Sequence, residues 1–393
     1  MKHGMDDMDF DQILHRTRAL LCLDCGKCTG SCPVSRVDPT YSPRRTIERF
    51  LVGQPEDVIS DRYLWSCLTC GLCTTRCPSD VDYPAFVIAT RGEARKGDVD
   101  VPYAHNAVMQ HLMAMMTQSV KQHRTDWLTE ELRTASQGED FYFVGCLPYF
   151  DVLFEDLGVV STDTARDAVR LMNAVGITPV VSDDERCCGA DLLLNGDEVG
   201  FRQLARLNVE VIAESGAGRV IFTCPECYHA FREDYPRHVG SLPFDLVHVA
   251  ELLAEHVDDL PLHGPNQSVT YQDPCRLGRY QGIYDAPRAL IRASGASLVE
   301  MSRSRANALC CGSAGWVSCG QCAKGIQTAR LRQAQATGAT KMITACPKCR
   351  IHLSCALKDL ASRADEWPSM DIELEDLTGL LARAMVLGQL DAQ

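Results

Sequence analysis

The chain has 393 residues, a length that predicts about two to three domains. Its 46% hydrophobic and 23% charged residues are typical of a globular protein and exclude general disorder. Its formal net charge of −13 repels phosphate backbones and anionic lipids, so we expect no nucleic-acid partner. No stretch reaches the roughly 18 consecutive apolar residues of a membrane span, and the start lacks a signal-peptide pattern. We therefore predict a cytoplasmic protein with no direct membrane span.

The chain contains 21 cysteines. We expect a protein without an export signal to stay in the cytosol, where thiols are kept reduced. A disulfide framework therefore does not explain the cysteines, and metal ligation is the remaining common explanation. Most of them fall into four groups with regular internal spacing.

Two N-terminal runs share the pattern C-x2-C-x2-C-x3-C-P. They consist of Cys22, Cys25, Cys28, Cys32 and Pro33, and of Cys67, Cys70, Cys73, Cys77 and Pro78. This is the bacterial ferredoxin signature for 4Fe-4S clusters, in which the fourth cysteine of each run ligates the other cluster. The spacing predicts two cubane clusters, one held by Cys22, Cys25, Cys28 and Cys77 and the other by Cys67, Cys70, Cys73 and Cys32.

A structural zinc site, which also uses paired cysteines, is the alternative explanation for these runs. Zinc takes four ligands, commonly in two pairs, and this fits poorly with two identical runs of four. Between the runs, Ser42 and Pro43 stand at the N-cap and the first position of a predicted helix that continues to Leu51. The helical insert favours an N-terminal helical ferredoxin domain over residues 1–95.

Residues 96–140 contain no cysteine and are predicted to form a helical connector. The segment from His105 to Gln122 has the pattern of an amphipathic helix. Its apolar side carries Met109, Leu112, Met113 and Met116. A row of methionines lines a quinone or cofactor pocket in one interpretation and fills a hydrophobic core in the other, which we favour.

The rest of the chain is an internal repeat, with one half over residues 141–265 and the other over residues 266–393. Each half contains a single cysteine, then Cys-Cys-Gly, then Cys-Pro-x-Cys. The cysteines are Cys146, Cys187, Cys188, Cys224 and Cys227 in the first half and Cys275, Cys310, Cys311, Cys346 and Cys349 in the second.

Short apolar runs alternate with helical patterns in both halves. The predicted strands are Phe141–Val144, Thr178–Val181, Val220–Phe222, Val269–Tyr271, Leu298–Val299 and Met342–Ala345, and the predicted helices include Ala165–Val175 and Ala289–Ile291. This alternation predicts an α/β fold with two tandem halves and mostly parallel sheets. Open sheets of this kind place their sites at the carboxyl ends of the strands.

The adjacent cysteines are the unusual element, because neighbouring side chains diverge and do not easily supply two corners of one regular cubane. A vicinal disulfide, a zinc site at the C-x2-C pair and buried inert cysteines are alternative explanations. None of them explains why the same order of five cysteines occurs twice.

The two ferredoxin-type runs followed by two such halves resemble the heterodisulfide reductase family, specifically its ferredoxin-like C-type subunit fused to its catalytic B-type subunit, as in the D-type subunit. The resemblance starts near Leu21, covers almost the whole chain, and includes Asp273–Arg279 and Cys346–His352. It implies that the five cysteines of a half bind a noncubane 4Fe-4S cluster of the CCG type, giving one or two such clusters besides the two cubanes. It also implies that a thiol disulfide bound between these clusters is cleaved in one-electron steps.

The candidate catalytic residues are Cys188, Cys311, His229 and His352. Each histidine shortly follows a Cys-Pro-x-Cys motif and could protonate a leaving thiolate, because histidine titrates near neutral pH. Equally, each histidine could hydrogen-bond a cluster sulfur or cap a helix.

Three cysteines lie outside the four groups, namely Cys319, Cys322 and Cys355. The first two form a C-x2-C pair. A metal-binding pair and a resolving dithiol are possible interpretations, and we favour a third, in which they are buried free cysteines.

We therefore predict an iron–sulfur oxidoreductase subunit of anaerobic metabolism that passes electrons through two cubanes to the CCG clusters, similar to heterodisulfide reductase. Similar architectures serve as electron-transfer subunits of class II benzoyl-CoA reductases, glycolate oxidase and glycerol-3-phosphate dehydrogenase, so a non-catalytic relay is the alternative. Complete cysteine sets in both halves favour retained cluster chemistry. Because the chain has no glycine fingerprint for a flavin or nicotinamide, we expect electrons from flavin-containing or other redox subunits of a complex.

Overall fold

A computed structural model describes residues 10–97, 99–118, 120–362 and 370–391. The chain divides into two compact units. Unit 1 lies within Met1–Met113, Ala190–Phe201 and Gly312–Ile326, and unit 2 lies within Ala114–Gly189, Arg202–Cys311 and Gln327–Gln393. Two segments from within the predicted CCG halves are therefore part of the same unit as the ferredoxin-type runs. The domain boundaries given above stay predictions.

The N-terminal cysteine runs lie among short helices. These are α1 (Phe10–Arg16), α2 (Lys27–Ser31), α3 (Pro33–Val37), α4 (Pro43–Leu51), α5 (Pro55–Ile59), α6 (Tyr83–Lys96) and α7 (Val108–Met116). The predicted cap of α4 is confirmed, because the Ser42 hydroxyl accepts a hydrogen bond from the Arg45 amide at 3.3 Å. Proline is the first residue of α3, α4 and α5, where its missing N–H leaves no helical partner unsatisfied. This region confirms the predicted N-terminal helical part of the fold.

The connector helix is shorter than the sequence predicts. Helix α7 begins at Val108 and ends at Met116, and the segment from His105 to Ala107 has left-handed backbone angles with φ of 52°, 53° and 60°. Left-handed residues cannot continue a right-handed helix, so the predicted start at His105 is wrong. Met109, Met113 and Met116 are at most 3% exposed, in line with methionines that fill a core.

The strands form two parallel sheets in unit 2. They are β1 (Asp140–Phe143), β2 (Arg219–Phe222), β3 (Asp245–His248), β4 (Ser268–Gln272), β5 (Ser297–Leu298), β6 (Lys341–Thr344) and β7 (Glu373–Asp376). One sheet has the order β1-β2-β3 and the other the order β5-β4-β6-β7, and all strand pairs are parallel. The predicted α/β class with mostly parallel sheets in two tandem halves is thereby confirmed.

Helices connect and follow these strands. They are α8 (Leu147–Leu153), α9 (Thr162–Ala174), α10 (Ala190–Leu194), α11 (Glu198–Glu214), α12 (Pro225–His229), α13 (Tyr235–Val239), α14 (Val249–Glu255), α15 (Gly278–Gln281), α16 (Asp285–Ala293), α17 (Gln321–Gln335), α18 (Pro347–Ser362) and α19 (Leu377–Asp391). The helical patterns at Ala165–Val175 and Ala289–Ile291 are confirmed as α9 and α16. Within the described ranges, none of the helices has the length and apolar character that a membrane crossing requires.

The two sheets repeat one another, since β4, β6 and β7 follow the order and direction of β1, β2 and β3. Strand β5 lies beside β4, and in the first half Val180 forms an isolated parallel bridge to Phe141 of β1. The predicted strand at Thr178–Val181 is therefore reduced to this bridge. Pro179 contributes to the reduction, because proline has no amide to donate to a neighbouring strand.

The ligand candidates follow two adjacent strands of each sheet. Cys146 and Cys224 come shortly after β1 and β2, and Cys275 and Cys346 come shortly after β4 and β6. Because the carboxyl ends of parallel strands share one edge of a sheet, each half brings its separate cysteines to one place.

Candidate iron–sulfur sites

Cysteines of both N-terminal runs line two cavities in unit 1. The first has about 430 Å³ of free space up to its open mouth and is lined by Cys22, Cys25, Cys28, Cys73 and Cys77. The second has about 310 Å³ and is lined by Cys32, Cys67, Cys70 and Cys73. Each cavity thus contains the first three cysteines of one run and the fourth cysteine of the other, and Cys73 lines both cavities. This placement supports the crossed ligand sets, which stay a prediction.

The lining of these cavities fits a polynuclear cluster, whose corners keep the ligands apart. Burial raises the pKa of the Cys32 thiol to about 12, and Cys70 and Cys67 add to the rise. Such a thiol holds its proton until a metal displaces it.

Backbone amides point at two of the candidate ligands. The Thr69 amide donates to Cys67 Sγ and the Val81 amide to Cys77 Sγ, both at 3.4 Å. Hydrogen bonds to cluster sulfurs raise the reduction potential of an iron–sulfur cluster. The local backbone therefore supplies part of the electrostatic environment of each cavity.

Arg91 is a buried cation beside the second cavity. Its guanidinium donates to the carbonyl oxygens of Cys67 and Leu194, each at 2.8 Å, and of Leu64 at 3.1 and 3.2 Å. It also lies 5.3 Å from the centroid of the Trp65 ring. Burial lowers the pKa of Arg91, and Cys67 acts against this change. Arg91 was not among the residues predicted from the sequence, because an arginine within a helix carries no distinguishing pattern.

The five cysteines of the first half converge in unit 2. Cys146 Sγ lies 3.2 Å from Cys187 Sγ, and side-chain hydrogen bonds continue from Cys187 to Cys188, from Cys188 to Cys227 and from Cys227 to Cys224. Hydrogen bonds with Cys146 and Cys188 lower the pKa of Cys187. The hydrogen bond with Cys187 raises the pKa of Cys188, and those with Cys188 and Cys224 raise the pKa of Cys227. The five sulfurs therefore form one connected group, and this arrangement fits a cluster that takes five thiolates.

A buried ion pair ties together the two loops that carry Cys146 and Cys187. The Glu185 carboxylate accepts hydrogen bonds from Arg124 at 2.8 Å, from the Gly145 amide at 2.6 Å and from the Val144 amide at 3.0 Å. Arg124 also donates to the carbonyl oxygens of Glu185 and Gly145. Burial raises the pKa of Glu185 to about 7, and Arg124 and the two amides act against this rise.

The second half uses different residues for the same purpose. Asp273 forms a two-point ion pair with Arg288 at 2.8 and 3.0 Å and accepts from the Arg305 amide at 2.7 Å. The Gln272 side chain donates from Nε2 to the Leu309 carbonyl at 3.2 Å. These contacts connect the loop before Cys275 to the loop before Cys310.

The cysteines of the second half also approach one another. Cys349 forms side-chain hydrogen bonds with Cys311 and Cys346. Cys310 is 2% exposed and precedes Cys311 directly, while Cys275 is half-buried.

The two Cys-Pro-x-Cys motifs meet within unit 2. Glu226 and Lys348 occupy the variable positions of the two motifs, and their side chains form a largely buried ion pair. The hydrogen bond from Cys349 lowers the pKa of Cys346, but burial, Cys224 of the first half and Cys311 together raise this pKa to about 11. The two five-cysteine sets are therefore adjacent. The opposite charges at one motif position are a signal of this pairing in the sequence, and the pairing was not among the predictions.

His229 lies beside a second buried cation. Its Nε2 is 3.3 Å from Arg276 Nη1, and its Nδ1 is 2.8 Å from Gln281 Nε2. Burial lowers the pKa of His229 to about 2, and Arg276 adds to this effect, so the ring is uncharged at neutral pH. His352 is 4% exposed within α18. The catalytic roles of these histidines, and of Cys188 and Cys311, stay predictions.

The remaining cysteines differ from the interpretation favoured above. Cys319 and Cys322 are half-buried, so the expectation of buried cysteines is wrong for this pair, and Cys355 is half-buried as well.

Comparison with known proteins agrees with this geometry. Residues 141–232 and 269–354 match the CCG family, described as a cysteine-rich domain, and residues 18–81 match a 4Fe-4S dicluster domain. The chain therefore has 4Fe-4S clusters of the cubane and CCG types.

Several relatives are oxidoreductases or their subunits. The chain is 34% identical to the D-type subunit of the dihydromethanophenazine:CoB–CoM heterodisulfide reductase of Methanosarcina mazei over 276 residues, which are 67% of this chain and 63% of that protein. It is 27% identical over 354 residues to the B-type subunit of the fumarate reductase (CoM/CoB) of Methanothermobacter marburgensis, covering 86% and 68% of the two chains. It is 28% identical over 260 residues to the EtfAB:quinone oxidoreductase of Syntrophomonas wolfei, covering 63% and 34%.

The chain thus spans less than two thirds of the length of the Methanosarcina heterodisulfide reductase subunit. Two CCG domains that follow a dicluster domain, together with the identity to that subunit, are sufficient to assign the family. The chain belongs to the heterodisulfide reductase family of CCG-domain iron–sulfur proteins.

Proposed function

We propose that this chain is an iron–sulfur subunit of an oxidoreductase complex that reduces a thiol disulfide at its two CCG sites. The observation that carries the proposal is the adjacency of the two five-cysteine sets, whose motifs meet at the Glu226–Lys348 pair. Reduction of a disulfide needs two electrons and two protons and releases two thiols, and iron–sulfur clusters supply electrons one at a time. Two adjacent sites match a substrate that separates into two sulfur-bearing halves.

Buried cations of the chain support the binding of such a substrate. Lys348 and Arg276 are each 6% exposed, and each lies within or directly beside a proposed ligand motif. Arg276 also lies over the ring of Tyr280, with its guanidinium carbon 4.3 Å from the ring centroid. Positive charges in a dry site stabilise the negative charge that develops on sulfur when the disulfide bond breaks.

The proposed ligand sets follow the geometry. We assign one cubane to Cys22, Cys25, Cys28 and Cys77 and the other to Cys67, Cys70, Cys73 and Cys32. The CCG clusters are assigned to Cys146, Cys187, Cys188, Cys224 and Cys227 and to Cys275, Cys310, Cys311, Cys346 and Cys349. The cavity linings and the connected sulfurs of the first half support these assignments.

We propose that a flavin-containing or other redox subunit delivers the electrons. Two of the relatives carry the word subunit in their names, one in a heterodisulfide reductase and one in a fumarate reductase. These names support membership in a complex of several chains.

Anaerobic assays with an artificial one-electron donor test this function. We expect the full chain to reduce members of a panel of thiol disulfides, and each disulfide that turns over to change the EPR spectrum of a CCG cluster in the oxidised protein. Replacement of Cys311 or Cys188 by alanine should abolish this turnover while the cubanes remain reducible, and Cys355→Ser is the control outside the proposed sites.

The relay alternative predicts a different result. In that case no disulfide turns over or changes a spectrum, although the protein passes electrons to a co-purifying oxidoreductase. This outcome would contradict the reductase proposal.

A further inference from the structure

A groove in unit 1 contains two cysteines that the proposed function does not use. It has about 1140 Å³ of free space up to its open mouth, and its lining includes Cys319, Cys322, Arg62, Tyr63 and His105. Both cysteines are half-buried, so their side chains reach the groove as well as the protein interior. The groove is separate from the two cavities that the N-terminal cysteine runs line.

The two cysteines stand at the start of a long helix. Cys322 is the second residue of α17, and Cys319 lies two residues before the first residue of this helix. The Gly320 amide donates to the Ser318 carbonyl at 2.9 Å, and the Lys324 amide donates to the Gly320 carbonyl at 3.1 Å, so the chain turns into the helix between the cysteines. A side chain added at Gly320 would meet no atom within 4 Å, which shows that the turn faces open space.

The backbone before the pair is fixed by the neighbouring segment of unit 1. Val317 forms an antiparallel bridge with Tyr103. The Ala104 amide donates to the Trp316 carbonyl at 2.8 Å, and the Ser318 amide donates to the Pro102 carbonyl at 3.0 Å. The groove is therefore preformed on one side by paired backbone.

The interior side of Cys322 is equally well defined. This residue packs against a hydrophobic cluster that includes Val317 and Ile326 and also the cubane ligand candidates Cys32 and Cys67. One thiol of the pair thus contacts the packed core of the ferredoxin-type region, and the turn that joins both thiols is open to the groove.

We propose that Cys319 and Cys322 form a redox-active dithiol that reduces a low-molecular-weight thiol disulfide bound in this groove. A C-x2-C spacing at the start of a helix allows two thiols to close a disulfide. Burial raises the pKa of Cys322, and Asp38 adds to the rise, so Cys322 retains its proton. Cys322 lies within the helix and packs against the hydrophobic cluster, whereas Cys319 lies in the turn before the helix, so we assign Cys319 as the attacking residue and Cys322 as the resolving residue.

The reaction is a balanced thiol–disulfide exchange. Cys319 attacks one sulfur of R–S–S–R, the bond between the two substrate sulfurs breaks, and one R–SH leaves with the proton that Cys319 gave up. Cys322 then attacks the Cys319 sulfur of the mixed disulfide, and the second R–SH leaves with the proton of Cys322. The substrate gains two electrons and two protons, and the dithiol loses them as the Cys319–Cys322 disulfide forms.

The test uses the full chain with its clusters oxidised, under anaerobic conditions and without an electron donor. The protein is mixed with 2-hydroxyethyl disulfide, free thiols are then alkylated, and peptides are analysed by mass spectrometry. We expect a Cys319–Cys322 disulfide and the release of about two equivalents of 2-mercaptoethanol per chain.

Single substitutions separate the steps. Cys319→Ser should abolish the release, and Cys322→Ser should release about one equivalent and leave a mixed disulfide on Cys319. Cys355→Ser, which removes the third cysteine outside the ligand groups, should behave like the unmodified chain. Iron content should be the same in all three variants.

The result also distinguishes this site from the CCG sites. Cys311→Ala removes a proposed CCG ligand and should keep the stoichiometric release, even where turnover with an electron donor is lost. Equal release from Cys319→Ser and the unmodified chain, or no Cys319–Cys322 disulfide, would overturn the proposal. Loss of bound iron or zinc from Cys319→Ser would also overturn it, because the pair would then be a metal ligand.

Discussion

A single carboxylate supports the first five-cysteine site. Glu185 stands two residues before Cys187 and receives three hydrogen bonds that connect it to Arg124 and to the loop before Cys146. The second half has Ala308 at the matching place, two residues before Cys310, and relies on Asp273 and Gln272 instead. The dependence on Glu185 is therefore specific to one of the two CCG sites.

We expect Glu185→Ala to release the cluster of the first half and leave the other clusters in place. The substitution leaves the Arg124 guanidinium buried without its carboxylate, a change that costs about 3–5 kcal/mol when a buried pair is broken. Iron analysis should show a loss of about four irons per chain, with the signals of the cubanes unchanged in EPR spectra. Glu185→Gln, which keeps an acceptor oxygen, should lose less iron.

Glu210→Ala is the matched control, since Glu210 is an exposed glutamate of α11. Equal iron loss from all clusters in Glu185→Ala would contradict a local role for this residue and indicate a general loss of stability.

Protonation of the buried His248 side chain is expected to make the stability of unit 2 depend on pH. The residue is fully buried at the end of β3, with its Nε2 3.3 Å from the Thr223 carbonyl, and its Nδ1 accepts from the Ala250 amide at 3.2 Å. Both contacts fit one neutral tautomer, which donates from Nε2. Burial lowers the pKa of His248 to about 4.

The sign of the pH effect follows from this lowered pKa. The unfolded chain takes up a proton near pH 6.5, whereas the folded chain does so only near pH 4, so stability is complete above pH 6.5 and is lost as the pH falls toward 4. The loss from this group is about 2 kcal/mol between pH 7 and pH 5. We expect the thermal unfolding midpoint to fall less over this range in His248→Gln than in the unmodified chain.

His256→Gln provides the comparison, because the His256 side chain is 38% exposed. A His248→Gln variant with the same pH dependence as the unmodified chain would show that another group causes the acid sensitivity.

At the scale of elements, the sequence predicts best the strands that precede the cysteine ligand candidates. Strands β1, β2, β4 and β6 are short apolar runs that are buried on both faces, and each leads toward a cysteine. Strands β3 and β7 were not predicted from the sequence. Their sequences, Asp-Leu-Val-His and Glu-Leu-Glu-Asp, are too short and too polar to show a clear hydrophobic pattern. Only packing against a neighbouring strand makes them strands.

The connector shows a different limit of the sequence. The apolar spacing from His105 to Gln122 is helical throughout, yet the helix covers only Val108–Met116. Amphipathic spacing indicates which side chains are buried. It gives no information on a left-handed backbone such as that of residues 105–107.

The crossed arrangement of the N-terminal runs is testable with matched variants. Cys77 lines the cavity of Cys22, Cys25 and Cys28, and Cys32 lines the cavity of Cys67 and Cys70. We expect Cys77→Ala to disturb the same EPR signal as Cys25→Ala. Cys32→Ala should instead resemble Cys70→Ala. If Cys77→Ala resembles Cys70→Ala, each run holds its own cluster and the crossed assignment is wrong.

For the whole molecule, the cysteine order predicts the ligand groups, and the sequence does not predict the contacts between them. The Glu226–Lys348 pair joins residues that are far apart in the chain, and the Arg91 contact with the Leu194 carbonyl does the same in unit 1. The segment Ala190–Phe201 directly follows the first Cys-Cys-Gly motif, the segment Gly312–Ile326 begins at the glycine of the second, and both belong to unit 1. Contacts of this kind depend on how the chain folds back and leave no local pattern.

The metal content of the whole chain tests the four ligand groups together. Two cubanes and two CCG clusters with four irons each correspond to about sixteen irons per chain in anaerobically purified protein. We expect this count from iron analysis, with about four fewer irons in Cys188→Ala and about four fewer in Cys311→Ala, since each variant removes a ligand of only one proposed cluster. A count near twelve in the unmodified chain, with no further loss in one of these variants, would restrict the CCG chemistry to a single half. Zinc in place of iron, or a count near eight, would contradict both CCG assignments, because the cubanes alone would account for all the iron.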